Sequence, residues 1–166
     1  MNDDIYQTFL SSLDALLQQD NVEKKSVTRR ILRQDRIEDY SKAEDWYETI
    51  RQDNTDVELI SKNIKKHANI VTRIKEHVFY KEHVIIRDDI VEKKRLDCDP
   101  EIVNSWCRMR DGDHVENDLK LFRHEQVETI MMQRKSMHQQ QAHQYALDAG
   151  YKWNPEEAYD GDSGNN

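Results

Sequence analysis

Only four glycines and two prolines occur among the 166 residues of this chain. These residue types interrupt regular secondary structure, so their scarcity leaves long stretches in which a helix can continue. Apolar residues recur at helical spacing over a first segment, 2–19, and Gly112 and Gly150 are predicted to end two later helices. Further helices are predicted over 26–35, 41–52, 55–64, 69–78, 99–112, 118–135 and 137–149.

One segment departs from the helical pattern. Residues 83–91 are rich in β-branched side chains and predict a strand or a short hairpin. The predicted fold class is therefore mainly α, a helical domain with one short strand pair or hairpin and an N-terminal helical extension. Three parts are predicted: a helical extension or docking segment over 1–52, a main helical domain over 53–155 and a disordered acidic tail over 156–166. The acidic composition of the tail already begins at Asn154.

Two local signals mark helix ends in the predicted main domain. Asp99 precedes Pro100, which is the expected order of an N-cap and a first helical residue. Ser136 followed by Gln139 is typical of a capping box, so the preceding helix is predicted to stop near Lys135. The last two helices are then expected to fold back on each other as a hairpin.

The charge balance limits the partners that a chain like this can take. The net charge is −8 and the isoelectric point is about 5.4. Such a chain is not a general binder of polyanions, because long-range repulsion opposes nucleic acid. One basic run has few aromatic neighbours and is interpreted as a solvated helix face or a partner-docking surface. It consists of Lys24, Lys25, Arg29, Arg30, Arg33 and Arg36.

The cysteines and the N-terminal sequence predict a cellular location. Cys98 and Cys107 form no Cys-x-x-Cys pair and are too few for a disulfide framework, which favours a reducing compartment. No apolar run approaches the roughly 18 residues that a membrane helix needs. Residues 1–17 contain three aspartates, whereas a signal peptide carries positive charge there. A cytoplasmic protein with no membrane partner is therefore expected.

The strongest candidate site is the pattern His124-Glu125-x-x-Glu128. On a helix His124 and Glu128 share a face, and Glu125 lies one position round from His124. Zinc peptidases use a related spacing, in which two histidines hold the metal and the intervening glutamate is the general base. Glu128 stands here in place of the second histidine, and a carboxylate can also bind zinc.

His143 can complete this site only if the helix breaks near Lys135. His124 lies about eleven residues before the break and His143 about eight after it, so at about 1.5 Å per residue the two arms have similar lengths. On one straight helix the two histidines would be about 28 Å apart. With the break, we expect His124, Glu128 and His143 to bind a divalent metal such as zinc, with Glu125 activating a water.

Three further residues are weaker candidates. His77 and His83 flank the predicted change from helix to strand, where side chains often line a cleft, although both also fit a charged surface loop. Arg108 could bind a phosphate or carboxylate through two hydrogen bonds, or could serve the fold alone. In a metal-free alternative, two histidines act as base and acid on an RNA phosphodiester while Arg108 stabilises the developing charge.

The order of several short motifs between about residues 56 and 159 resembles a C-terminal domain found in polymorphic toxins and in phage head-morphogenesis proteins. The matching positions are 74–79, 81–83, 99–100, Trp106, Arg108, Gly112, 118–119, 123–125, Glu128, 142–143 and 151–153. Asn117 stands where this resemblance leads us to expect a histidine. If that histidine takes part in chemistry, the resemblance implies an altered or inactive copy here.

The resemblance implies a toxin-like effector of conflict between bacteria or between phage and host. The histidine and glutamate pattern leads us to expect a hydrolase, either metal-dependent or a metal-free nuclease acting on RNA, and the resemblance implies that its residues share one pocket. The pocket residues implied are His77, His83, His124, Glu125 and His143. The alternative is a phage or mobile-element protein without enzymatic activity, which binds and inhibits a host protein through residues 1–52 or through its acidic surface.

Overall fold

The computed structural model describes residues 27–160, and the predicted first helix, 2–19, lies outside this range. The described chain is mainly helical with one two-stranded antiparallel hairpin, which confirms the predicted fold class. The α-helices are α1 (Ile37–Gln52), α2 (Asp56–Ile64), α3 (Ala68–Lys75), α4 (Pro100–Asp111), α5 (Glu116–Lys135) and α6 (Gln139–Asp148). The other elements are a π-helix (Glu76–Tyr80), strands β1 (His83–Arg87) and β2 (Ile90–Lys94), and a 3-10 helix (Pro155–Ala158).

One hydrophobic core joins the first five α-helices and the π-helix. At its centre Phe79 packs edge-on between two rings, with centroids 4.7 Å from Tyr47 and 5.0 Å from Trp106. Tyr47 belongs to α1, so this helix is buried in the same core as the helices after it. The division of the chain at residue 52 stays a prediction, and the shared core shows that residues 37–52 are not packed separately.

The segment before α1 corrects one prediction. Residues 27–36 are not a helix, although the apolar spacing over 26–35 predicted one. Asn104 replaces the hydrogen bonds of a helix: its Oδ1 accepts from the backbone N–H groups of Ile31 and Leu32, and its Nδ2 donates to the Leu32 carbonyl. Leu32 can therefore be buried in an extended segment without leaving its backbone unpaired.

The basic run is likewise no free helix face within the described residues. Arg29 forms salt bridges with Asp111 and Asp113, and Arg30 binds Glu101 and Glu156. These pairs tie the extended segment to α4 and to the C-terminal end of the described chain. Arg29 and Arg30 thus stabilise a packed arrangement, because the segment itself carries no helical hydrogen bonds to hold it.

Signals at the start and end of α4 confirm the predicted limits of this helix. The Asp99 carboxylate accepts from the backbone N–H of Glu101, at 2.7 Å, and Pro100 is the first helical residue. Gly112 ends the helix with φ +83°, a left-handed conformation that favours glycine. Local chemistry therefore defines the helix that crosses the core.

Replacing Asp99 by alanine is expected to lower the free energy of unfolding by about 1 kcal/mol, the usual cost of losing an N-cap. The carboxylate also accepts from Gln34 Nε2, so the extended segment loses a contact as well. Urea denaturation followed by circular dichroism measures the change. Asp97→Ala is the matched control, since Asp97 lies on the surface and its ion pairs add little. A loss for Asp99→Ala no larger than for the control would contradict a capping role.

The predicted helical hairpin is present. Helix α5 ends at Lys135, Ser136 adopts a left-handed φ of 52°, and α6 starts at Gln139. The predicted Ser136–Gln139 capping box is wrong in detail, because the Gln141 side chain accepts instead from the backbone N–H of His138, the N-cap residue. The break turns α6 back along α5, and this places residues of both helices at one site.

The described part of the acidic tail is ordered, which corrects the prediction of disorder up to residue 160. Residues 155–158 form the 3-10 helix, and the Asn154 side chain accepts at its start from Glu156 N–H. Glu157 binds Lys120 on α5, and the Tyr159 hydroxyl donates to Glu101. An ion pair to α5 and a hydrogen bond to α4 thus hold this acidic segment in place. Residues 161–166 lie outside the described range.

No helix among residues 27–160 is long and apolar enough to cross a membrane.

Candidate metal centre

Six side chains from four elements meet between the helical hairpin and the π-helix, and we call them the His–Glu cluster. Helix α5 supplies His124, Glu125 and Glu128, α6 supplies His143, the π-helix supplies His77, and β1 begins with His83. All but His143 are at least nine-tenths buried. His143 has a side chain 48% exposed, so the cluster reaches the protein surface at this residue.

Glu128 lies at the centre of the cluster and its two oxygens face different histidines. Oε1 is 2.9 Å from His124 Nε2 and 2.6 Å from His143 Nδ1, and these two nitrogens are 3.0 Å apart. We call His124, Glu128 and His143 the outer triad. The helical break near Lys135, inferred from sequence, is what brings its third member to the other two.

A backbone contact fixes the orientation of His124. Its Nδ1 lies 2.6 Å from the carbonyl oxygen of Tyr151. A carbonyl only accepts hydrogen bonds, so Nδ1 carries a proton. Without a metal, Nε2 can carry a second proton and donate it to Glu128, and after losing that proton Nε2 presents a lone pair at the same place. Histidines that bind metals commonly donate their outer N–H to a carbonyl in this way, which fixes the tautomer.

The second oxygen of Glu128 faces a second group. Oε2 is 3.1 Å from His77 Nε2, and the same nitrogen is 3.6 Å from Glu125 Oε2. We call His77, Glu125 and Glu128 the inner triad. Its candidate ligand atoms lie within 4.8 Å of one another, as do those of the outer triad. Glu125 Oε2 is buried and has no hydrogen-bond partner.

Burial and close charges change the protonation of the cluster. Burial opposes the Glu128 carboxylate, but hydrogen bonds from His124, His143 and His77 outweigh it and hold the pKa of Glu128 well below its usual range. Burial also disfavours protonated His124, yet its bonds to Glu128 and to the Tyr151 carbonyl raise its pKa to about 9. Burial, followed by repulsion from Glu128, raises the pKa of Glu125 to about 7. The cluster therefore demands positive charge, which protons or a metal ion can supply.

The outer triad fits a zinc ion. Ligand atoms bound about 2.1 Å from one zinc in a tetrahedron lie about 3.4 Å from each other. The observed separations of 2.6–3.0 Å are shorter by less than about 1 Å, so small side-chain rotations are enough. Two imidazoles and a carboxylate also form a donor set that zinc prefers, and the exposed side of His143 leaves room for a further ligand.

His83 supports the His–Glu cluster through its contacts with His77. Its Nε2 donates to the His77 carbonyl at 2.8 Å, and the two rings pack edge-on with centroids 4.7 Å apart. Burial lowers the pKa of His83 and so favours its neutral form. His77 itself lies in a π-helix, closed by the hydrogen bond from Lys81 N–H to the Glu76 carbonyl. Short π-helices are frequent at functional sites because they reposition side chains.

A buried ion pair anchors the start of the π-helix. Lys75 Nζ lies 2.7 Å from Asp56 Oδ1, and the other oxygen of Asp56 accepts from Trp106 Nε1 at 2.9 Å. Lys75 is the last residue of α3 and directly precedes the π-helix. Asp56 therefore links α2, α3 and α4 through Lys75, which lies two residues before His77. This link positions the inner triad.

The structure does not bring Arg108 to the cluster, which corrects its predicted role in stabilising reaction charge. The guanidinium is 2% exposed and forms two hydrogen bonds with Asp118, of 2.9 and 2.6 Å. Its remaining bonds go to the Arg29 carbonyl and the Tyr159 hydroxyl. With these donors engaged in the fold, Arg108 joins α4, α5 and the two ends of the described chain.

Asn117 also lies apart from the cluster. It is seven residues before His124 on α5, a rise of about 10 Å along the helix. Its Nδ2 donates to the Asn154 carbonyl. The departure from the resembled pattern at this position therefore leaves the six cluster residues in contact.

The sequence pattern identified all six residues of the His–Glu cluster. It missed two groups that hold other side chains in place, the Tyr151 carbonyl beside His124 and the Asp118 carboxylate beside Arg108. The Tyr151 carbonyl is a backbone group that any residue would present, so no side-chain pattern reveals it. The role of Asp118 had a signal, because an acid three residues past a helix start often binds the orphan N–H groups, and Asp118 Oδ2 accepts from Val115 N–H. Its pairing with Arg108 depends on the packing of α4 against α5.

No family model matches this chain, and neither a curated protein nor a solved structure is significantly similar to it.

Proposed function

We propose that this protein is a metal-dependent hydrolase acting as a toxin-like effector, with the outer triad as its metal site. One observation carries the proposal: two imidazole nitrogens and a carboxylate oxygen converge within 3.0 Å of one another. Three electron-rich atoms so close together repel unless a proton or a metal ion lies among them. The toxin-like context rests on the motif resemblance alone.

The residues have distinct roles in this proposal. His124, Glu128 and His143 hold the ion, and the Tyr151 carbonyl keeps His124 Nε2 directed at it. A bound divalent ion supplies Lewis acidity and an activated water. In hydrolysis the water oxygen bonds to the electrophilic atom while the leaving group takes up a proton. Glu125 is suited to carry that proton, since its pKa of about 7 lets it both accept and donate near neutrality.

Surface charge near the cluster favours an anionic substrate such as RNA. A cavity of about 420 Å³ adjoins Tyr151, whose carbonyl contacts His124. Lys120, Arg123 and Lys152 line it together with one acid, Glu157. Glu157 pairs with Lys120 and Glu116 with Arg123, so three cations less two acids leave a small local excess of positive charge that a phosphodiester would meet.

The metal-free nuclease has less support from the same geometry. His77 and His83 are 2% and 4% exposed, so neither ring can reach an RNA phosphate without a rearrangement. Arg108 is bound to Asp118 and is not free to stabilise a reacting phosphate. The chemistry is therefore assigned to the outer triad.

His143→Ala is expected to abolish stoichiometric zinc binding at the outer triad and to relieve toxicity on expression in bacteria. The side chain is half exposed, so its removal disturbs the core little, and two ligands from one helix hold zinc poorly. Elemental analysis of purified protein and growth after induction are the two measurements.

His138→Ala is the matched control for His143→Ala. His138 is an exposed histidine of the same hairpin whose ring lies outside the cluster. It should keep zinc and toxicity unchanged. If His143→Ala keeps both while deletion of residues 1–26 removes toxicity, the protein acts through partner binding and the hydrolase proposal is wrong.

A further inference from the structure

We propose that the inner triad is a second metal position, so that Glu128 bridges two ions in one dinuclear centre. This inference rests on the proposed function and extends it from one ion to two. Its basis is the division of contacts at Glu128, where Oε1 faces His124 and His143 and Oε2 faces His77. A carboxylate that presents one oxygen to each of two ligand groups has the arrangement of a bridging ligand.

An unpartnered buried oxygen points to the second ion independently. Glu125 Oε2 has no hydrogen-bond partner although Glu125 is only 8% exposed. It lies 3.6 Å from His77 Nε2, which is too long for a hydrogen bond and close to the ligand spacing around one zinc. A buried carboxylate oxygen without a donor is costly, and a cation between Glu125, Glu128 and His77 removes that cost.

The five candidate ligand residues divide into two sets. The ligand atoms of each triad lie within 4.8 Å of one another, and the two triads share Glu128 alone. Three histidines and two carboxylates give the centre two ligand sets of three protein side chains each, which is the composition that two-metal hydrolases use.

In this centre Glu125 has two roles, one for each of its carboxylate oxygens. Binding of Glu125 through Oε2 leaves its other oxygen to carry the proton assigned to it above. Two ions about 3.5–4 Å apart would then hold both the attacking and the leaving oxygen of a phosphodiester.

Metal titration of the purified full-length chain tests the second position. Equilibrium dialysis against Zn²⁺ should give two ions per chain for the unchanged protein and one for Glu125→Gln. Mn²⁺ tests whether the two ions are close to each other. Two equivalents should give an exchange-coupled electron paramagnetic resonance spectrum, and Glu125→Gln should give the spectrum of isolated Mn²⁺. Glu116→Gln is the control, an exposed glutamate of the same helix, and should leave both results unchanged.

His77→Gln is the second variant, in case Glu125→Gln fails to fold as judged by circular dichroism. It should also lower the stoichiometry from two to one. One ion that is lost in His143→Ala but kept in Glu125→Gln would overturn the second position and leave the proposed function standing. Two ions without spin coupling, or two retained in both inner-triad variants, would overturn the bridge. No ion at all would remove the proposed function as well.

Discussion

Glu128→Gln is expected to lower zinc affinity by at least about 100-fold and to abolish hydrolysis with it. Loss of residues that only orient metal ligands already costs about 10–100-fold, and Glu128 is itself the ligand shared by both triads. The amide removes the negative charge and directs N–H donors at the lone pair of His124 Nε2. A competition titration with a zinc-binding dye measures the affinity.

The same variant separates metal binding from folding. In the protein without metal, Glu128 accepts hydrogen bonds from three histidines, so losing its charge should also reduce the free energy of unfolding by about 3–5 kcal/mol. Zinc should raise the melting temperature of the unchanged protein and leave that of Glu128→Gln where it is. Glu116→Gln controls for an amide on α5 away from the cluster. Wild-type zinc affinity in Glu128→Gln would contradict the metal site.

Asp118→Asn is expected to lower the free energy of unfolding by about 3–5 kcal/mol without changing metal stoichiometry. Asp118 is fully buried and holds Arg108 through two hydrogen bonds, one of them 2.6 Å. Replacing the acid leaves a guanidinium in the core without its counter-charge, and this is more costly than removing the whole pair. Chemical denaturation gives the stability, and elemental analysis gives the zinc content.

A paired replacement makes this prediction sharper. Arg108→Met combined with Asp118→Leu removes both charges, so it should recover part of the stability lost in Asp118→Asn. The double variant should also keep activity at temperatures where it is folded, because Arg108 does not contact the His–Glu cluster. A folded double variant that binds zinc but is inactive would restore the catalytic role that the sequence suggested for Arg108.

Toxicity in bacteria and metal binding report on different properties of the protein. Toxicity tests whether the protein harms a cell, and it can fail because the target is absent. Zinc stoichiometry depends only on the ligand residues of the two triads and on their geometry. The variants at Glu128 and His143 therefore report on the chemistry even where the substrate is unknown.

Much of the secondary structure follows from local sequence. Asp99 before Pro100, the glycines Gly112 and Gly150, and the β-branched run at 83–91 each act within a few residues, so the helix limits and the hairpin were predictable. The extended segment 27–36 was not, because side chains distant in sequence supply its hydrogen bonds. Asn104, more than 70 residues away, satisfies the backbone at Leu32.

The sequence by itself determined which residues could form a site and where the last two helices had to break. Helical periodicity places His124 and Glu128 on one face, and a break near Lys135 is enough to bring His143 to them. Only the tertiary structure decided that Glu128 faces two ligand groups and that Arg108 belongs to the fold. Both outcomes depend on how α4, α5 and the π-helix pack, since contacts between distant elements are fixed by the shape of the shared core.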